Sequence, residues 1–312
     1  MEDFRVLITE NCNANCPTCF NKDIRCGREM SLEDFKRVCV YLKEEGKVTK
    51  LKIMGGEPTV HPHFEECVSF AQTQFDSVHI FTNAINDKIE RVHLREIDSI
   101  IYNVHCLPQN VKKSRFLPDE KGYRLFETQL SSDANINRIK KVLARVREMI
   151  PDDRMYIAFT LNCVENIFEK RDKIISIWNE MVDFVSNELG MHYNIDHNIP
   201  YCFFVGSNMN IKTNNSRCHI GCSGLITPSL QLQYCNQSPE ILTELLYNDQ
   251  IIPFSILENR LNEYFHKKML KNLNKICRNC VLFNSKCNGG CFMHKDIISL
   301  ESIVKNSNFP FA

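Results

Sequence analysis

Hydrophobic positions in the first two hundred residues follow two alternating patterns. Short β-rich apolar runs predict six strands: Phe4 to Ile8, Val48 to Met54, Val78 to Phe81, Ser99 to Val104, Tyr156 to Leu161 and Met191 to Ile195. Between them the spacing turns helical. Ser31, followed three residues later by Asp34, reads as a helix start, and Leu32, Phe35, Val38 and Leu42 then share one face. Phe64, Val68, Ala71 and Phe75 do the same in the next helix. A charged helix near Lys88 to Glu96, one capped by Asp133 and running to Ile150, and an amphipathic one from about Ile167 to Leu189 complete the series. Leu107 to Leu130 reads as irregular; its Pro108, Pro118 and basic Lys112-Lys113-Ser114-Arg115 suit a solvated loop or a substrate-contacting lid.

Strand and helix in alternation predict an α/β fold, an open partial (β/α)6 TIM-like barrel whose functional face lies at the carboxyl ends of its strands. After residue 200 cysteines become dense and helical periodicity thins. The expected division is a barrel over residues 1–205 and a smaller cysteine-rich C-terminal domain over residues 206–312, interrupted by one helix, about Glu258 to Leu273.

At 312 residues and 43% hydrophobic, the chain can bury one core with a satellite. Its 38 basic and 38 acidic residues balance, so no overall field draws it to nucleic acid or an anionic membrane. No apolar run reaches about 18 residues, and the N-terminus lacks a signal peptide's features, so a cytoplasmic protein is expected. In that setting 16 cysteines point to metal or chemistry rather than to disulfides. Ten of them cluster. Cys26, Cys39, Cys67, Cys106, Cys163 and Cys202 stand singly and read first as small buried hydrophobes.

Three motifs follow the first three strands. Cys12, Cys16 and Cys19, spaced C-x3-C-x2-C, can bind three irons of a cubane cluster and leave the fourth open, or can bind zinc with a remote fourth ligand. Gly55-Gly56-Glu57-Pro58 offers close backbone approach, a carboxylate for an ammonium group and a stiffened turn, and could equally be an ordinary strand-to-helix turn. Thr82-Asn83 is a polar pair suited to ribose hydroxyls.

In combination these motifs resemble the radical S-adenosylmethionine (SAM) superfamily over about residues 4 to 200. The resemblance implies a 4Fe-4S cluster on Cys12, Cys16 and Cys19 whose open iron chelates SAM. It places the SAM amino group at Gly55, Gly56 and Glu57 beside Pro58, the ribose at Asn83 beside Thr82, and Asn162 on the methionine or ribose. It also implies an electron donor such as flavodoxin or ferredoxin, reductive cleavage of SAM to a 5′-deoxyadenosyl radical, and hydrogen abstraction from a substrate. Thr18 departs from the pattern, since the family usually has an aromatic or larger apolar residue there; Phe20 follows the last cysteine instead.

Toward the C-terminus, Cys218, Cys222 and Cys235 precede the dense group Cys277, Cys280, Cys287 and Cys291. The dense group has metal-binding spacing, and a zinc ribbon would use a similar one. Beside a radical SAM core the arrangement resembles a SPASM or twitch extension. That implies one or two auxiliary 4Fe-4S clusters, the first on Cys218, Cys222, Cys235 and Cys291, the second on Cys277, Cys280 and Cys287. The family's final cysteine is missing, with His294 as a candidate replacement, and Leu230 stands where the family has a glycine.

SPASM relatives suggest a ribosomally made peptide as substrate, modified by crosslink, thioether or epimerisation. The chain begins at strand one, so the expectation is either a separate leader-binding protein or a small substrate such as a sugar or cyclitol, dehydrogenated or epimerised. Cys106, Cys163 and Cys202 are candidate hydrogen donors for an epimerisation, and Asp196 is a candidate base. Sulfatase-maturing relatives carry an aspartate base where this chain has Asn236, which cannot deprotonate a substrate. The reading from another class is a non-catalytic, zinc-stabilised interaction protein.

Overall fold

The computed structural model describes residues 2–16, 19, 26–107, 112–116, 121–150, 155–161, 170–195, 203, 224–236, 238 and 240–272. The fold is mixed α/β and is built on one large, mostly parallel sheet. Its strands are β1 (Asp3–Thr9), β2 (Lys50–Gly55), β3 (Ser77–Thr82), β4 (Ser99–Asn103), β5 (Tyr123–Leu130), β6 (Met155–Leu161), β7 (His192–Ile195), β8 (Leu225–Ile226), β9 (Gln231–Gln233) and β10 (Ile241–Glu244). In space they run β10-β9-β8-β1-β2-β3-β4-β5-β6-β7. Strands β1 to β7 are parallel neighbours in chain order, each connection stepping one strand further in the same direction, as in a barrel. Strand β8 joins parallel to the free side of β1, and β9 and β10 continue antiparallel.

Helices α1 (Leu32–Glu44), α2 (Phe64–Gln74), α3 (Ile136–Met149), α4 (Arg171–Asp183) and α5 (Phe254–Asn272) include the crossovers and the C-terminal helix. Ser31 caps α1, its Oγ accepting from the Asp34 amide at 3.0 Å. Phe35, Val38 and Leu42 are fully buried in the same core cluster as Phe4, Val6 and Ile8 of β1, each contributing about 2 kcal/mol of burial. The opposite face of the sheet carries a small apolar group, Leu7, Met54 and Leu225 with Phe81. Helix α5 docks on the outer layer: Phe254 packs on Phe4 and Tyr41, and its amide donates to Glu45 at 3.2 Å.

Several elements differ in detail from expectation. Tyr123–Leu130 is a full strand rather than the tail of an irregular segment. The charged helix near Lys88 shortens to a 3-10 turn, Asp87–Arg91, because buried Asp98 captures the following chain. Its carboxylate accepts from the Arg95 amide and guanidinium, the Val78 amide and Gln72. Asn135, not Asp133, caps α3 by accepting from the Arg138 amide at 3.0 Å. Helix α4 ends in a π-helical turn, Phe184–Glu188. Within the basic patch, Arg115 pairs with Glu90 at 2.9 Å.

The expected boundary at 205/206 lies outside the described residues, while the chain beyond it returns to the same sheet through β8. The β8–β9 hairpin turns on Leu230, whose φ of 56° is the left-handed conformation glycine adopts without strain. The residue departs from the family glycine, and the backbone keeps the glycine-like conformation.

Candidate active site

The cysteine loop is clipped shut at its base. Thr9 and Glu29 form an antiparallel bridge, flanked by the Met30 amide on Ile8 O (2.8 Å) and the Glu10 amide on Arg28 O (2.9 Å). The Glu10 carboxylate then gathers Arg28 Nε (3.0 Å) and Nη2 (2.7 Å) on one oxygen, and the amides of Cys26 (2.9 Å) and Arg28 (3.3 Å) on the other. Burial pushes this carboxyl up, and the Arg28 guanidinium with the two amides more than offsets it, holding Glu10 below the ordinary carboxylate value. Asn11 adds a bond from its side-chain amide to Glu29 at 2.9 Å. Glu10, Arg28 and Glu29 escaped sequence reasoning, since nothing local marks two residues 18 apart as partners.

Within the loop, Cys12, Cys16 and Cys19 are of intermediate exposure. The Ala14 amide points to Cys12 Sγ at 3.4 Å, and the Cys19 amide closes a turn on Cys16 O at 3.2 Å. N–H groups directed at sulfur stabilise a thiolate. Three accessible thiols on one short loop, with no disulfide among them, suit the ligation of an iron–sulfur cluster.

The Gly-Gly-Glu-Pro turn leaves β2 directly under this loop. A Cβ on Gly56 would lie 2.4 Å from Asn11 O and 2.5 Å from Glu10 O, so the missing side chain admits the backbone of the cysteine loop itself. The amides of Gly56 and Glu57 donate to Thr9 O and Asn11 O, both at 2.8 Å. Glu57 is 1% exposed. Its carboxylate accepts from the Thr59 amide and hydroxyl (3.2 and 2.7 Å), the Thr82 hydroxyl (2.7 Å) and the Asn83 amide (2.6 Å). Burial raises its pKa against these four donors. Pro58 starts the 3-10 turn Pro58–Val60 that Glu57 caps.

Asn83, at the end of β3, completes the junction: its side-chain amide donates to Asn13 at 2.8 Å and approaches Cys12 Sγ at 3.9 Å. Ala84 follows in a left-handed conformation, φ 54°. The three motifs therefore meet at the carboxyl ends of β1, β2 and β3.

A fourth contribution comes from the turn after β4. Cys106 Sγ lies 2.8 Å from Cys16 Sγ, and the contact with Cys16, followed by burial, raises the Cys106 thiol far above its usual value. His105 beside it is held neutral, its pKa pushed down to about 4 by burial and then by Arg138. Of the candidate catalytic residues, Cys106 is thus brought to the loop, whereas Cys163, Asp196 and Cys202 lie outside the described residues, as does Asn162. So do Thr18, Phe20, Cys218, Cys222, Cys277, Cys280, Cys287, Cys291 and His294. Cys235 is described and half-buried after β9. Next to it, Asn236 directs its side-chain amide at Met54 Sδ (3.7 Å), which brings this turn over the end of β2.

Comparison with known proteins places this geometry. A 7,8-dihydro-6-hydroxymethylpterin dimethyltransferase of Methanocaldococcus jannaschii is 38% identical over 85 residues, 26% of this chain and 17% of that protein. The chain spans well under half the length of the curated relatives it matches, 17% and 38%. Among solved structures, Streptococcus suis SuiB bound to S-adenosylmethionine aligns with a TM-score of 0.61 at 11% identity, over 93% of this chain and 73% of SuiB. anSMEcpe with bound AdoMet and a Cp18Cys peptide aligns at 0.59 and 17% identity, over 93% and 88%. The partial-barrel architecture is shared with both. The family model for the radical SAM superfamily matches residues 6–166, the stretch holding all four strand ends described above, and the chain belongs to that superfamily of enzymes.

Proposed function

We propose that Cys12, Cys16 and Cys19 hold a 4Fe-4S cluster, that Gly55, Gly56, Glu57, Pro58, Thr82, Asn83 and Asn162 seat SAM beside it, and that the enzyme modifies a ribosomally made peptide. The observation that carries this reading is the junction at Asn83, which bridges the cysteine loop and the Glu57 turn through bonds of 2.8 and 2.6 Å. When bound, the reduced cluster and SAM supply a 5′-deoxyadenosyl radical able to remove hydrogen from an unactivated carbon.

The chain's own residues hold the parts in place. The Glu10–Arg28 clip fixes the loop, Glu57 locks the ends of β2 and β3 together, and amides near Cys12 Sγ favour its thiolate. Fixing the reacting groups in this way is what such chemistry demands of a protein, because the radical attacks whatever carbon is nearest.

A peptide substrate is supported by the likeness to anSMEcpe, which was solved with a peptide bound and aligns over 93% of the chain, beyond the family match. The C-terminal cysteines fit one or two auxiliary clusters on Cys218, Cys222, Cys235 and Cys291 and on Cys277, Cys280 and Cys287. A flavodoxin or ferredoxin would supply electrons, and a separate protein would present the peptide leader.

The test is anaerobic reconstitution with iron and sulfide, followed by a search for reductant-dependent 5′-deoxyadenosine. Cys12→Ala should abolish it. Persistence of the product in that variant, or a colourless zinc protein without iron, would overturn the cluster assignment. Short peptides encoded beside the gene are the substrates to try; loss of two hydrogens, or deuterium uptake from heavy water, is the expected change, and sugar turnover instead would exclude the peptide.

A further inference from the structure

Among the described residues a further set of soft donors meets outside the ligand triplet. Cys16, His105 and Cys106 bring their ligand atoms within 4.8 Å of one another. We propose that, in the chain without its cluster, these three residues form a mononuclear site for a borderline-soft divalent cation such as zinc. Because the cluster also needs Cys16, the two metal states exclude each other. The exclusion rests on the cluster reading above; the site itself does not.

Two thiols and one imidazole make a zinc-type donor set with a fourth position left for water. The 2.8 Å between the two sulfurs exceeds a disulfide bond of about 2.05 Å; two thiolates about 2.3 Å from one tetrahedral ion stand about 3.8 Å apart, so binding would part the sulfurs by about 1 Å. The second observation is His105 Nδ1, a buried ring nitrogen with no hydrogen-bond partner among the described residues, where buried polar atoms are ordinarily paired.

The ligands also stand on fixed supports. The turn after β4 is closed by the Cys106 amide on Asn103 O (3.0 Å) and the Leu107 amide on Val104 O (3.2 Å). Arg138 of α3 reaches over to donate to the carbonyls of His105 (3.2 Å) and Leu107 (2.9 Å). Cys16 arrives on the clipped loop. All three residues are of intermediate burial. Binding would displace the two thiol protons to solvent and leave the imidazole neutral.

The probe is cobalt(II), titrated anaerobically into the reduced, cluster-free, full-length protein. C-terminal cysteines can take cobalt too, so the readout is the difference between variants. Wild type and Cys19→Ser should bind one equivalent more than Cys106→Ser and His105→Gln, with the thiolate charge-transfer and tetrahedral ligand-field absorption of that equivalent. In the last two its affinity should fall more than about 100-fold, beyond the loss caused by an outer-shell change. Matching thermal unfolding of all four proteins shows that the fold is intact.

Equal uptake by all four, or loss of the equivalent in Cys19→Ser, would overturn the site. Preloaded zinc should block cluster reconstitution in wild type and not in Cys106→Ser; reconstitution unaffected by zinc would overturn the exclusion. A cluster that forms normally in Cys19→Ser would instead refute the triplet while leaving this site standing.

Discussion

Gly56→Ala isolates what the Gly-Gly-Glu-Pro turn does for the cysteine loop. The added Cβ would meet Asn11 O at 2.4 Å and Glu10 O at 2.5 Å, whereas ordinary contact begins at 3.4 Å. Both carbonyls would have to retreat by about 1 Å, and neither is free to do so: Asn11 O accepts the Glu57 amide at 2.8 Å, and Glu10 is pinned to Arg28 through its amide and carboxylate. Overpacking of this kind costs about 1–3 kcal/mol, and the strained Glu57 amide bond adds about 1 kcal/mol. The sum, about 2–4 kcal/mol, corresponds to a drop in unfolding midpoint of about 3–6 °C for a chain of 312 residues. Gly55→Ala is the internal control, because its nearest contacts lie at 3.0–3.1 Å and need only a few tenths of an ångström. Thermal unfolding of the cluster-free protein and iron content after reconstitution provide the measurements. Iron should fall well below wild type in Gly56→Ala and change little in Gly55→Ala. Wild-type iron and melting in Gly56→Ala, or a worse defect in Gly55→Ala, would refute the steric argument.

Two further outcomes follow from the charged pairs. Glu10 titrates below its ordinary value in the fold, so its clip is intact above about pH 4.5 and is lost as pH falls through the lowered value. Amide exchange at Cys26 and Arg28 should rise in that acid window, and Glu10→Gln should show fast exchange at neutral pH with no acid step. Asp98 is completely buried and accepts five hydrogen bonds. Asp98→Ala should therefore destabilise the protein by about 3 kcal/mol in chemical denaturation, and a loss under about 1 kcal/mol would contradict the role assigned to it.

The first three strand ends were legible because their chemistry sits on short segments. Cys12, Gly56 and Asn83 each lie within a few residues of a strand that the apolar pattern marks. Strand β5 was hidden by its own buried face, which reads Arg124, Phe126, Thr128 and Leu130. An arginine at an inward position breaks the expected alternation. It is tolerated because its guanidinium donates to the carbonyls of Phe116, Lys121 and Gly122. The meeting of Cys106 with Cys16 was equally illegible, since it depends on the order of β1 to β4 in the sheet and on a loop folded back across their ends. Cys106 alone reads first as a small buried hydrophobe and, from its place near a strand end, as a candidate hydrogen donor; nothing in the sequence pairs it with Cys16.

The pairing of β8 with β1 bears on how the chain is made. Strand β1 lacks its β8 neighbour until residues 225 and 226 have been synthesised and have paired with Arg5 and Val6. A fragment ending before residue 224 would keep the whole crossover series and still display β1 as an open template for other chains. The β8–β9 hairpin thus acts as a guard for β1, and trimming the protein to its family-defined portion would leave that strand prone to strand-to-strand association.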